Sequence, residues 1–136
     1  MIGPTDFEGR WRIVRRIEDR RAGQTGAFEG EAAFSPVPGG LRYSEAGQLR
    51  LGTGPAMQAT RAYLWAFDGA RVQVAFDDGR PFHAFSLAEA AEADHWCDPD
   101  DYRVAYDFSA WPLWRAVWTV SGPRKEYVMD SVYTRP

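Results

Sequence analysis

Two histidines, one cysteine and a few charges set among aromatic rings are the chain's candidates for chemistry. His83 and His95 each stand beside aromatic residues, and imidazole is the side chain best suited to proton exchange near neutral pH. Each has two readings: a general base or ligand anchor, or a structural ring bonding a tyrosine hydroxyl or the backbone. His95-Trp96-Cys97 on a strand would put imidazole and thiol on one face, and Asp98 and His83 would be needed to complete a metal site. With no Cys-x-x-Cys and no His-x-x-x-His, no metal is expected, and Cys97 is expected as a small buried thiol. Arg61 and Glu45 fall at alternating positions with tyrosines; inside a fold they must pair with each other or meet solvent or ligand. Arg80, Arg124 and Lys125 lie by turns, where they are solvated or draw an anion toward an opening. Phosphate-cradling glycine loops, a Gly-x-Ser-x-Gly elbow and His-Glu-x-x-His are all absent from the sequence.

The elements that must position these groups are strands. Turn signals recur along the chain, among them Ala22-Gly23, Pro38-Gly39-Gly40, Asp68-Gly69, Asp78-Gly79 and Gly122-Pro123. Between them apolar residues alternate with period two: Phe28/Ala32/Phe34, Tyr63/Trp65/Phe67, Val72/Val74/Phe76, Tyr102/Val104/Tyr106/Phe108, Trp114/Ala116/Trp118/Val120. Trp11, Ile13 and Ile17 share a face of the first strand. Helix is confined to a short turn near Pro4–Phe7, with Leu87–Ala93 readable either as helix or as a strand with an irregular start. About ten sequential antiparallel strands joined by tight turns, with almost no long crossings, predict an all-β up-and-down barrel rather than a sandwich.

The chain has 136 residues, the length of a single domain spanning 1–136. Aromatic residues reach 15%, so the interior is built from rings. The net charge of −3 provides no field for nucleic acid or an anionic membrane, and neither is expected as a partner. One cysteine excludes an internal disulfide and fits a reducing compartment. With no secretory leader and no membrane span read at the N-terminus or beyond, a cytoplasmic protein is expected.

Gly9-Arg10-Trp11, opening the first long strand after a short turn, resembles the calycin superfamily of lipocalins and fatty-acid-binding-protein-like barrels. That resemblance implies that Trp11 plugs the barrel base and that a basic residue of the last strand, Arg135 or alternatively Arg124, packs across it. The stretches Phe76–His83, His95-Trp96-Cys97-Asp98 with Tyr102, and Gly122–Tyr127 resemble an uncharacterised bacterial family of small calycin-like proteins. The chain is also similar to haem-binding barrels of the nitrobindin type, which supply a histidine ligand from near their C-terminus. Here His95 is the last histidine. No cofactor is therefore expected, with haem as the alternative.

With Trp11 facing inward, strand parity gives a lining of Tyr43, Glu45, Arg61, Tyr63, Trp65, His83, Phe85, His95, Cys97, Tyr106, Trp118, Tyr127, Met129 and Ser131. The expected function is binding of a small, partly apolar, anionic ligand inside the barrel. Arg61, Tyr63, Tyr43 and Tyr127 would orient its polar end, and Trp65, Phe85, Trp118 and Met129 would surround the rest. Alternatives are an acid–base isomerase or hydrolase using His83 or His95, and haem or nitric-oxide-related binding. The outward residues Val14, Leu64, Val117 and Val128 offer a homodimer seam or an interaction face.

Overall fold

The computed structural model describes residues 2–136. A one-turn helix, α1 (Pro4–Phe7), leads into ten strands. These are β1 (Gly9–Asp19), β2 (Gln24–Val37), β3 (Gly40–Leu51), β4 (Met57–Asp68) and β5 (Arg71–Phe76), followed by β6 (Pro81–Ser86), β7 (Ala90–Cys97), β8 (Asp100–Asp107), β9 (Trp114–Ser121) and β10 (Glu126–Thr134). All form one antiparallel sheet in the order β6-β5-β4-β3-β2-β1-β10-β9-β8-β7. Consecutive strands pair as hairpins except β6 and β7, and β1 pairs with β10, so the meander curls round on itself. The two end strands, β6 and β7, lie against each other without a backbone ladder. The result is the expected all-β up-and-down barrel, nearly closed, with one seam. The ambiguous Leu87–Ala93 stretch resolves as an irregular lead into β7. No helix of the described residues is long and apolar enough to cross a membrane.

Barrel curvature requires close backbone approach where long strands bend. Gly30 of β2 and Gly47 of β3 face each other in register, and a Cβ on either would run into the neighbouring strand's carbonyl. On β6 the ladder with β5 slips between Val74 and Ala75: Val74 pairs with His83 but Ala75 with Pro81. That bulge leaves Phe82 as an extra residue and breaks the strict in–out alternation.

One end of the barrel is solid. Phe7 of α1 enters it fully buried and packs against Phe34, Trp65, Phe108, Trp111 and Trp114, with ring centroids 5.0–5.9 Å apart. Trp11, also fully buried, donates its indole N–H to the Phe7 carbonyl at 2.8 Å. Arg135 lies 3.8 Å over the Trp11 ring and donates to the carbonyls of Asp6, Glu8 and Arg10. The basic residue across Trp11 is thus Arg135; Arg124 sits in the β9–β10 turn at the opposite end. Gly9 has φ +100°, and the guanidinium of Arg135 lies 3.3 Å from where a Cβ would stand, so glycine answers both demands there. Along this floor one arginine ties helix, first strand and last strand together.

Cys97 departs from expectation. It is exposed, not buried. It is the last residue of β7, a strand laddered on one side only, and stands at the barrel mouth next to the turn into β8.

Candidate functional site

Above the aromatic floor, β1, β3, β4 and β10 direct charged and hydroxyl groups inward. Arg15 of β1 and Glu45 of β3 are each 5% exposed and make a two-pronged ion pair, Nη1–Oε2 2.7 Å and Nη2–Oε1 3.0 Å. Arg15 Nε donates to Ser131 Oγ on β10 at 2.7 Å, and its guanidinium stacks 4.9 Å over Phe28. Tyr43 donates its hydroxyl to Glu45 at 2.5 Å, which obliges the Tyr133 hydroxyl, 2.8 Å away, to donate to Tyr43. Burial opposes ionisation of Glu45, but the hydrogen bonds and charge of Arg15 outweigh it and hold the carboxyl below its ordinary value. Burial pushes the Tyr43 hydroxyl well above its ordinary value, so it stays a donor.

Arg61 of β4 completes the group differently. Its guanidinium reaches Glu45 only at 3.5 Å and the Tyr63 hydroxyl at 3.4 Å, and its side chain is 39% exposed. Two arginines therefore face one carboxylate whose oxygens are already engaged by Arg15 and Tyr43. Arg15, Glu45 and Arg61 together carry one net positive charge where the barrel opens; the carboxylate of Asp19, on the wall of the cleft there, is engaged by the backbone N–H groups of Arg21 and Ala22 rather than by Arg61.

The other inward residues divide between packed interior and open end. Trp65 and Phe85 join the aromatic floor, 4% and 3% exposed. His83 and Tyr106 are buried beside them, His83 Nε2 lying 2.8 Å from the Tyr106 hydroxyl. His83 Nδ1 is buried with no hydrogen-bonding partner. An axial haem ligand needs a ring nitrogen directed at open space; in His83 one nitrogen is engaged with Tyr106 and the other is buried. The void amid this deep group is about 40 Å³, room for water rather than a ligand.

Desolvation, reinforced by the charge of His95, pulls His83 down from 6.5 to about 4. The unfolded chain therefore binds a proton on this residue before the folded one does. Stability from neutral His83 is complete above about pH 6.5, erodes as pH falls, and is lost by about pH 4; the full loss is about 3 kcal/mol. Replacing His83 with glutamine is expected to flatten urea-derived stability across that window. An unchanged slope would show that the imidazole is not the titrating group.

The open end contains two clefts. One, of about 350 Å³, lies among β1–β4 and β10 and is walled by Ile17, Phe28, Leu49, Leu51, Ala59 and Thr60, with Arg15, Glu45 and the carboxylate of Asp19 also on its wall. The other, of about 200 Å³, is walled by Tyr63, Phe76, Phe82, His95, Cys97, Tyr102 and Trp118. Arg61, Tyr127 and Met129 border both. His95 sits edge-on to Phe82 at 5.2 Å and to Phe76 at 5.9 Å. Lys125 meets Tyr102 and Asp100, each at 3.2 Å, and Arg80 is held by Asp78 in its turn at 2.8 Å. No three His, Cys, Asp or Glu side chains gather in a metal-holding group among the described residues.

The parity lining thus separates into a buried set, Tyr43, Glu45, Trp65, His83, Phe85, Tyr106 and Ser131, and a set at the clefts, Arg61, Tyr63, His95, Cys97, Trp118, Tyr127 and Met129. Three contributors escape the parity lining. Arg15 shares the inward face of Trp11 and Ile13, a signal present in the alternation itself. Tyr133 follows the alternation of β10, and Phe82 enters only through the bulge.

Residues 7–135 match the family described as "Family of unknown function (DUF6314)". Among solved structures, the barrel is similar to an S-type phycobiliprotein lyase, CPES, from Guillardia theta, with a TM-score of 0.61 and 11% identity over 95% of this chain and 86% of that one. It is similar also to a protein of unknown function from the DUF3598 family of Nostoc punctiforme, with a TM-score of 0.63 and 13% identity over 98% of this chain. This chain spans 48% of that second protein. No curated protein matches the sequence.

Proposed function

The chain belongs to the DUF6314 family, and from the geometry of its open end we propose that it binds a small, partly apolar anion at the mouth of the barrel. The observation that carries this reading is the surplus cation. Arg15 satisfies Glu45, and Arg61 is left with two contacts longer than 3.3 Å while bordering both clefts. A carboxylate or similar anion would complete its hydrogen bonding and neutralise the cluster. Tyr63 and Tyr127 supply further polar contact, while Trp118 and Met129 supply apolar surface. Tyr43, Trp65 and Phe85 act one layer deeper, holding Glu45 and the floor rigid. The calycin-like closure by Gly9, Trp11 and Arg135 supports a ligand-binding barrel as the architectural precedent, and the phycobiliprotein lyase of similar fold shows that such a barrel occurs in a protein named as a lyase.

Titration of tryptophan fluorescence with fatty acids, aromatic acids and haem tests the proposal. Carboxylates are expected to change the Trp118 signal saturably. Arg61→Gln is expected to weaken them about 10- to 100-fold, the worth of a charge-assisted hydrogen bond, while leaving the melting temperature nearly unchanged. Equal affinity in the variant would overturn the assignment of Arg61, and a flat response to every probe would overturn the site.

A further inference from the structure

The two clefts differ in chemistry, and only one cation lies between them. Arg61 reaches from β4 toward Tyr127 and Met129 of β10, and these three residues border both spaces. On the β1–β4 side Ile17, Leu49, Leu51 and Ala59 form an aliphatic wall, beside a single ring, Phe28, whose face is covered by Arg15, and with Asp19 and Glu45 as its carboxylates. On the other side they are rings. Phe82 is the centre of a stack, parallel to Trp118 within 6° at 5.0 Å and near-parallel to Phe76 at 4.5 Å and Tyr63 at 5.5 Å. Flat walls of this kind gain more from a flat aromatic occupant than from a flexible chain, because offset and edge-on ring contacts add to area burial. The β1–β4 side has no ring stack, its one ring, Phe28, being capped by the Arg15 guanidinium.

We infer that the ligand is a branched aryl-alkyl carboxylate, its acid group on Arg61, its ring in the Phe82–Trp118 chamber and its aliphatic arm in the Leu49–Ala59 chamber. This deepens, and rests on, the anion-binding reading above. The chamber volumes, about 200 and 350 Å³, together fall in the range usual for small-molecule sites. Placing the acid at the branch point follows from the position of Arg61, which borders both chambers rather than closing the end of either.

Three probes test the inference by calorimetry on the full chain: 1-naphthoate, octanoate, and 2-(1-naphthyl)octanoate, which joins both arms at the acid-bearing carbon. The joined acid is expected to bind at least about 10-fold more tightly than either parent, since one association then fills both chambers. Phe82→Leu is expected to weaken naphthoate and the joined acid about 10-fold while sparing octanoate. Ala59→Leu, which fills the aliphatic chamber from its rim, is expected to weaken octanoate and the joined acid while sparing naphthoate. In the unaltered protein, NMR cross-peaks should connect naphthyl protons to Phe82 and Trp118 and alkyl protons to Leu49. These cross-peaks decide the matter even where a variant folds poorly. A joined acid no tighter than naphthoate, or cross-peaks from both arms to the same chamber, overturns the two-chamber inference and leaves the anion site standing. Insensitivity of all three probes to Arg61→Gln, or no binding by any, overturns the anion site itself.

Discussion

Replacing Trp11 with alanine is expected to lower the unfolding free energy by about 3–5 kcal/mol, the usual cost of emptying a large aromatic site in a core. The reason for expecting the upper part of that range is specific. Trp11 is fully buried, its indole N–H holds the Phe7 carbonyl, and its ring is the surface on which Arg135 rests. Without it, α1 loses the hydrogen bond that seats Phe7, and the guanidinium that joins the Asp6, Glu8 and Arg10 carbonyls loses its platform. Trp11→Phe is expected to keep most of the packing but lose the hydrogen bond and part of the cation–π attraction, a smaller loss of about 1–3 kcal/mol. Urea unfolding of both variants checks this. A Trp11→Ala loss below about 1 kcal/mol would mean that the floor is held without its central ring.

Replacing Glu45 with leucine is expected to destabilise the barrel by about 3–5 kcal/mol, because it leaves a buried Arg15 without its counter-charge. Arg61, already 3.5 Å from Glu45, then repels Arg15 with no carboxylate between them. The double variant Arg15→Met/Glu45→Leu is expected to recover much of that loss, since it removes the stranded charge together with its partner. Glu45→Gln should fall between, keeping the shape and a hydrogen-bond acceptor but not the charge. The same carboxyl predicts a second acid limb. Held below its ordinary 4.5 in the folded state, Glu45 contributes stability that is complete above that value and declines as pH drops further. This limb begins at the lower end of the His83 window, which opens near pH 6.5 and closes near pH 4, so His83→Gln should flatten the profile above about pH 4.5 and Glu45→Gln the part below it. A double variant no more stable than Glu45→Leu would show that the loss comes from packing rather than from an unpaired charge.

Much of this was legible in the sequence because a strand's side chains alternate with period two whatever the rest of the fold does. The turn glycines, the rings spaced two apart and the lack of long crossings determined the meander; Gly9-Arg10-Trp11 determined where it starts. The same alternation identified Tyr43, Glu45, Trp65, His83, Phe85 and Tyr106 as inward residues, and the structure buries all six. Arg15 was equally readable, two positions beyond Ile13 on the Trp11 face, but a charge on an otherwise apolar face gains its meaning only from a partner on another strand. That partner, Glu45, comes beside it through curvature of β1, β2 and β3 rather than through adjacency in the chain.

Tertiary structure alone decided three matters. It settled which inward residues sit in the floor and which at the mouth, because alternation reports a face but not a height along the barrel. It set Cys97 in the open, because Cys97 is the last residue of β7 at the barrel mouth, where no further turn of strand stands over it. It turned Phe82 inward next to His83, because a single unpaired residue in the β5–β6 ladder cancels the parity on which any sequence reading relies. The ring that centres the aromatic chamber is therefore the one the period-two pattern assigns to the outside, and the division of the mouth by Arg61 emerges only when ten strands have closed around it.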